Sequence, residues 1–341
     1  MNENIDGGSD EFPRVLCESK EIWNFHMHDN SSHKYSQKVV VLLSSYNGEK
    51  YIEEQLNSIS RQIGVDVYCI IRDEGSTDNT RIILKRFCQK HKNFNVIEGS
   101  NIGCINSFNK LMKEAIVDKY NWIAFSDQDD IWLQDKLISA IKFIEEHYRS
   151  INIDNIPICY CSNLLVFNEK TGDKYLRRNY IPKANKYTVL VQNYGTGCTM
   201  VFNQKAREFY NYGYGTNMEW HDYWMTIICT YFGRVFYDPS YHIMYRLHGN
   251  NQVGAYKKNV YIAFKNLYKQ KNTHRIVMLE DFIKTYERML DNSDKKILSD
   301  FISYKYKFFN RLKMFFNKKY HGYELKVTLN FKLRLLLGKI F

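Results

Sequence analysis

The stretch "KVVVLLSSYNGEKYIEEQLNSISRQ", residues 38–62, decides the fold class. Its first eight residues are β-branched and apolar and end in two serines, the composition of a strand buried on both faces. Past the polar turn, Tyr51, Ile52, Leu56 and Ile59 fall at helical spacing. A buried strand that runs through a polar loop into an amphipathic helix is the first half of a βαβ unit.

The alternation continues downstream. "VDVYCIIR" (65–72), "FNVIEG" (94–99) and "NWIAFS" (121–126) read as strands, while "DNTRIILKRFCQKH" (78–91) and "INSFNKLMKEAIVDK" (105–119) read as helices. Strands separated by helices of this length predict an α/β protein with a mostly parallel, Rossmann-like central sheet flanked by helices. Right-handed crossovers put ligands beyond the carboxyl ends of such strands. Four polar segments, "SYNGEK" (45–50), "DEGSTDNT" (73–80), "GSNIGCINS" (99–107) and "SDQDDIW" (126–132), are therefore expected along one sheet edge. Later come "IPICYCSNLLVF" (156–167), read as a strand, and "YGTGCTMVFN" (194–203), a Gly-rich lead into another. "EWHDYWMTIICTYFG" (219–233) reads as an apolar helix, and "RVFYDPSYHIMYRLHGNNQ" (234–252) as one or two strands ending in a polar loop.

Composition limits the class further. With 341 residues, 44% hydrophobic and 16% aromatic, the chain can bury a large core, which excludes wholesale disorder. No apolar run reaches 18 residues, so no membrane span is expected. The opening "MNENIDGGSDEF" lacks the basic and apolar regions of a secretion signal, and eight scattered cysteines show no C-x-x-C pair. A cytoplasmic location with reduced thiols is the expectation. The net charge of +11 is uneven: residues 255–341 hold 20 Lys and Arg against 7 Asp and Glu, leaving residues 1–254 slightly acidic. Within the basic part, "FISYKYKFFNRLKMFFNKKY" (301–320) spaces aromatics as an amphipathic helix does and interleaves them with cations. That pattern suits an anionic membrane surface. Three segments are thus expected: a loosely specified extension over 1–36 with a short helix near "KEIWNF", an α/β domain over 37–254, and a basic, mainly helical region over 255–341.

Several motifs carry chemistry, each with a plainer alternative. In "SDQDDIW", Asp127 and Asp129 at a strand end suit Mg²⁺ or Mn²⁺, which would offset their repulsion; alternatively these acids, Asp130 above all, cap the next helix. "RDEGSTDNT" offers Asp73 and Glu74 to a base or ribose, or forms an ordinary turn with Asp78 as helix cap. Tyr46 could stack on a base, although Asn-Gly is also a turn signal. In "WHDYW", Asp222 is either a general base with His221 beside it or a capping group. Arg246 and His248 in "YRLHGNN" fit a phosphate partner and a metal ligand, or serve structure alone. No G-x-G-x-x-G helix start, no phosphate-loop signature, no G-x-S-x-G and no nucleic-acid-binding signature occurs, so a dinucleotide oxidoreductase and a nucleic-acid partner are not expected.

Taken in order, "VVLLSSYNGEKYIEEQLNSISRQ", "RDEGSTDNT", "NIGCINSFNKLM", "FSDQDDIWLQDKL", "GTGCTMVFN", "HDYWMTIICTYFG" and "YRLHGNNQVG" resemble a family 2 glycosyltransferase, in the rhamnosyltransferase-like branch of bacterial capsule and O-antigen synthesis. The resemblance runs from about Val39 to Gly254. It implies a GT-A fold, a divalent cation, a dTDP- or UDP-sugar donor, a glycan or lipid-linked acceptor, and inversion at the anomeric carbon. By position it implies that Ser45, Tyr46, Glu49, Asp73, Glu74 and Asp127 meet the donor nucleotide. Asp129 and His248, with Asp127, would hold the metal, Asp222 would be the base, and Gly195 and Gly197 would lie beside the acceptor. From residue type and position, His221 and Trp224 are also expected on the acceptor side and Arg246 at a phosphate. The family usually carries two aspartates where this chain has Asp73-Glu74. A sugar-nucleotide-binding module of the same fold without catalysis is the alternative class, and a nucleotidyltransferase is disfavoured by the lack of a Gly-rich triphosphate loop.

Overall fold

Alternate residues of the first strand go to opposite sides of one sheet, and that places the core. Val40 and Leu42 join one apolar cluster, Val39, Val41 and Leu43 the other, and all five are fully buried. The computed structural model describes residues 37–114, 120–147, 155–213, 217–249 and 274–338. The extension over 1–36, the loop after "YRLHG" and residues 255–273 lie outside the described residues.

The chain runs β1 (Lys38–Ser45), α1 (Ile52–Ser60), β2 (Asp66–Asp73), α2 (Thr80–Lys90), β3 (Phe94–Glu98), α3 (Cys104–Glu114), β4 (Trp122–Ser126) and β5 (Ile131–Trp132). It continues through α4 (Lys136–His147), β6 (Ile158–Asn168), β7 (Lys174–Leu176), α5 (Thr188–Val191), a 3-10 turn (Gly197–Thr199) and β8 (Val201–Asn203). Then come α6 (Gln204–Tyr212), α7 (His221–Phe232) and β9 (Arg234–Leu247). The strands form a nine-stranded sheet in the order β3-β2-β1-β4-β8-β6-β9-β5, with β7 paired to β6. β1 is parallel to β2 and β4, β2 to β3, and β6 to β9, while β8 enters antiparallel between β4 and β6. All the alternating elements expected from the sequence are present, and "RVFYDPSYHIMYRL" is a single 14-residue strand. The carboxyl ends of β1, β2, β3 and β4 open on one edge, which brings the four polar segments together.

Beyond residue 273 the described chain is helical: α8 (His274–Thr285), α9 (Asn292–Ser303), α10 (Phe308–Phe316) and α11 (Leu325–Leu336). The single amphipathic helix suggested for 301–320 is broken. Phe301, Tyr304 and Tyr320 turn inward and are buried, whereas Phe308, Phe309 and Phe316 on α10 remain exposed. The break has a packing cause, because those inward rings share one cluster with Trp224, Phe282 and Tyr286 beneath the sheet. The seven cysteines among the described residues are free.

Candidate active site

The first two loops are laced together by short polar side chains. Asn47 adopts a left-handed φ of 47°. Its Oδ1 accepts from Thr77 N at 2.9 Å, and its own N–H donates to Ser76 Oγ at 3.0 Å. Glu49 Oε2 accepts from Asn79 N and Nδ2, both at 2.9 Å. Asp73 is fully buried and is spent on its own turn, accepting from Gly75 N, Ser76 N, Ser76 Oγ and Arg81 Nε. Glu74 instead borders the cleft, accepts from Ile102 N and Gly103 N, and pairs with Arg72. The methylene that distinguishes Glu from Asp at this position lets one carboxylate reach the third loop.

Gln128, between the two acids of Asp-x-Asp, carried no signal in the sequence reading. Its Oε1 accepts from Ser45 Oγ at 3.0 Å and Tyr46 N at 2.9 Å, and its Nε2 donates to Tyr46 O at 3.0 Å. This clamp binds the fourth loop to the first and leaves the exposed Tyr46 ring on the cleft rim. Asp127, Gln128 and Asp129 all lie just past the end of β4 and line the cleft together.

Asp127 and Asp129 line the cleft, half-buried. Burial, followed by the charges of Asp129 and Asp222, pushes the Asp127 carboxyl up to about 7. His248 Nε2 lies 2.8 Å from Asp129 Oδ2, and its ring stacks on Tyr51 at 4.7 Å. Asp130 neither faces the cleft nor caps the next helix. It is buried, its Oδ1 accepts from Arg246 N at 3.3 Å, and burial raises its pKa well above the ordinary value. Asp135 stands directly before α4 instead, accepting from Ser139 Oγ at 3.2 Å. Ligand atoms of Asp127, Asp130 and Cys198 also lie within 4.8 Å of one another.

Also lining the cleft, Asp222 occupies the first turn of α7, and Gly197 N–H donates to its Oδ2 at 3.1 Å. Burial raises this carboxyl to about 6 against the pull of that hydrogen bond. Gly197 has no room for a side chain, since a Cβ would meet His221 Nε2 at 2.9 Å. At Gly195 a Cβ would meet Thr226 Oγ1 at 2.7 Å. His221 stacks on Phe108 at 3.9 Å, neither ring nitrogen has a partner, and burial holds its pKa down at about 3, so the ring is neutral.

Two expectations are corrected. Trp224 does not border the cleft: two positions after Asp222 it points roughly 200° around the helix. There it is fully buried, 5.4 Å from Phe282 and 6.0 Å from Tyr286. Arg246 is likewise occupied elsewhere, donating from Nε to Asp129 O at 3.0 Å and pairing with Glu54 at 2.5 Å. The cations that do line the cleft include Lys50, Arg177, Arg178 and Arg275, none of which the sequence singled out. Scattered basic residues have no spacing that marks them. The resulting cleft has a volume of about 990 Å³ and is lined by Asp127, Asp129, His248 and Asp222, the last near enough for its charge to act on Asp127. Such a pairing can hold a polyanion near a cation and present a base to an incoming hydroxyl.

Comparison with known proteins identifies the family. The profile described as "Glycosyl transferase family 2" matches residues 40–209. The dTDP-rhamnosyl transferase RfbG of Shigella flexneri is 32% identical over 241 residues, 67% of this chain and 77% of that protein. The Escherichia coli protein described as UDP-Glc:alpha-D-GlcNAc-diphosphoundecaprenol beta-1,3-glucosyltransferase WfgD is 27% identical over 163 residues, 48% of this chain and 58% of its own. Among solved structures, S. aureus TarS 1-349 in complex with UDP-GlcNAc superposes with a TM-score of 0.53 at 16% identity, covering 83% of this chain and 77% of that one. The fold is of the GT-A type. The chain belongs to glycosyl transferase family 2 and is a glycosyltransferase of bacterial polysaccharide synthesis.

Proposed function

We propose that this protein is an inverting, cation-dependent transferase that moves a sugar from a dTDP- or UDP-sugar to a glycan or lipid-linked acceptor in capsule or O-antigen synthesis. Rhamnose from dTDP-rhamnose is the first donor to test, on the strength of the RfbG likeness. One observation carries the reading: Asp222, held by Gly197 N–H, shares a single cleft with Asp127, Asp129 and His248 and acts electrostatically on Asp127.

In this reading Tyr46, Glu49 and Glu74 shape the nucleotide end, while buried Ser45, bonded to Gln128, and Asp73 fix the turns behind them. Asp127 and Asp129 would hold Mn²⁺ or Mg²⁺ through hard carboxylate oxygens, with His248 completing the shell. Burial first, and then the charges of Asp129 and Asp222, raise the Asp127 pKa, and a bound cation would favour its ionised form. When bound, the cation would stabilise charge on the departing diphosphate. Asp222 takes the proton of the acceptor hydroxyl as that oxygen bonds to C1 from the face opposite the diphosphate. The C1–O bond to phosphate breaks with its electron pair leaving on the diphosphate, and the centre inverts.

The chemistry would reside in 37–254 and membrane contact in the basic C-terminal region, on the inner face of the cell membrane. Phe309 and Phe316 on α10 and Leu325 on α11 are each at least 75% exposed, with Lys307, Lys313 and Lys326 beside them in sequence. Apolar side chains among lysines suit an anionic lipid surface. No helix among the described residues is long and apolar enough to cross a membrane. The deciding experiment is a thermal-shift panel of nucleotide sugars with and without Mn²⁺, followed by product analysis of the anomeric configuration. A donor that stabilises only with the metal and yields an inverted product supports the reading. Metal-independent stabilisation or a retained configuration overturns it.

A further inference from the structure

The cleft has a second cationic wall that the transfer chemistry does not use. Arg177 and Arg178 follow β7 and line the same cleft as Asp222, on whose carboxylate the Arg177 charge acts. Arg178 is 7% exposed and its Nη1 has no hydrogen-bond partner. Its backbone is fixed on both sides by one asparagine, since Arg178 N donates to Asn163 Oδ1 at 3.2 Å and Asn163 Nδ2 donates to Arg178 O at 2.7 Å. The Tyr237 ring lies 5.7 Å from the guanidinium. A buried cation held this firmly without an acid is costly unless a ligand supplies the counter-charge. Arg177 is exposed, and it acts electrostatically on Asp222. No acidic side chain among the described residues forms an ion pair with either arginine. Arg275, on the same wall, differs in being matched by Glu219 through contacts of 2.8 and 3.1 Å.

The position of this wall indicates what the counter-charge belongs to. Two residues after Arg178, Tyr180 OH donates to Glu324 Oε1 at 3.1 Å, and Glu324 immediately precedes α11. Leu325, Leu329, Leu333 and Leu336 then form an exposed stripe on α11 at helical spacing. The arginines therefore stand between the base that receives the acceptor and the helix with the most exposed leucines.

We infer that Arg177 and Arg178 form an anion subsite for the phosphate that joins a lipid-linked acceptor to its glycan, separate from the donor's diphosphate. Two guanidinium forks match phosphate oxygens in a way that lysines do not. This inference rests on the transferase reading above, and its failure can be distinguished from failure of that reading.

The test uses the full chain with saturating Mn²⁺ and dTDP or UDP, titrated with farnesyl diphosphate, farnesol or inorganic pyrophosphate and followed by calorimetry. Farnesyl diphosphate is expected to bind with nucleotide in place, and farnesol to bind at least about tenfold more weakly. Arg177→Ala, an exposed change that spares the fold, should weaken farnesyl diphosphate by about tenfold and leave nucleotide affinity unchanged. Arg178→Lys keeps the charge but loses the fork, and should weaken it as well. Equal affinity in wild type and both variants overturns the inference. So does competition between farnesyl diphosphate and the nucleotide, which would place that diphosphate in the donor site. Absence of any nucleotide binding would instead sink the transferase reading, while Arg177-dependent farnesyl diphosphate binding would leave the subsite standing.

Discussion

Gly197 donates its backbone N–H to Asp222 Oδ2 at 3.1 Å, and its missing side chain is what lets the loop approach the first turn of α7. One residue thereby orients the carboxylate and leaves its other oxygen for chemistry. The same contact tempers the effect of burial, which raises the Asp222 pKa to about 6 rather than further.

Asp222→Asn is expected to lower kcat by roughly 10²- to 10⁴-fold with donor affinity kept, measured by turnover and nucleotide titration. In the wild type only the ionised base works, so the rate should climb as pH rises through about 6 and plateau above. The sign for stability is opposite. The folded pKa lies above the unfolded value of about 3.9, so this group's contribution falls as pH rises from about 4 to 6. The Asn variant should accordingly show a higher Tm than wild type at neutral pH.

Gly197→Ala places a methyl 2.9 Å from His221 Nε2, and His221 is wedged against Phe108. We expect the loop to shift and kcat to drop by about tenfold or more, with nucleotide binding intact. Unchanged turnover would show that the Gly197 contact does not position the base.

His248→Ala removes the ring stacked on Tyr51 and in contact with Asp129. Mn²⁺ affinity, read by metal titration of activity, should fall by at least about 10–100-fold, the loss seen when even a supporting contact is removed. Saturating metal should restore part of the rate.

Phe309→Glu and Phe316→Glu change side chains that are 81% and 76% exposed, so the unfolding free energy should hold within about 1 kcal/mol. Cosedimentation with phosphatidylglycerol vesicles should be lost in the double variant. Retained binding would remove α10 as the membrane contact.

Trp224→Ala empties a fully buried site against Phe282 and Tyr286. It should cost about 3–5 kcal/mol and be visible in thermal denaturation. The expected damage is to stability, with kcat of the folded fraction little changed.

The strand and helix alternation over 38–126 was readable because burial on both sheet faces demands continuous apolar runs, and a helix facing a sheet demands a 3.6-residue period. The polar segments after Ser45, Asp73, Glu98 and Ser126 could be assigned to one edge, since parallel strands connected by right-handed crossovers leave no other. Residue types after Ser126 also marked Asp127 and Asp129 as candidates, and the His–Asp pair of "WHDYW" marked Asp222. What each does with its carboxylate depended on distance. Asp73 satisfies its own turn, Asp130 sinks beneath the site, and Arg246 is consumed by Glu54 and Asp129 O. Gln128 and the Arg177–Arg178 wall matter only through partners 82 or more residues away or through the lack of an acid, and no local pattern encodes either. Local periodicity is a property of neighbours along the chain, so sequence alone determined the sheet, its helices and its functional edge. Charge compensation is a property of neighbours in space, and only the tertiary structure decided which of the charged groups are free to act.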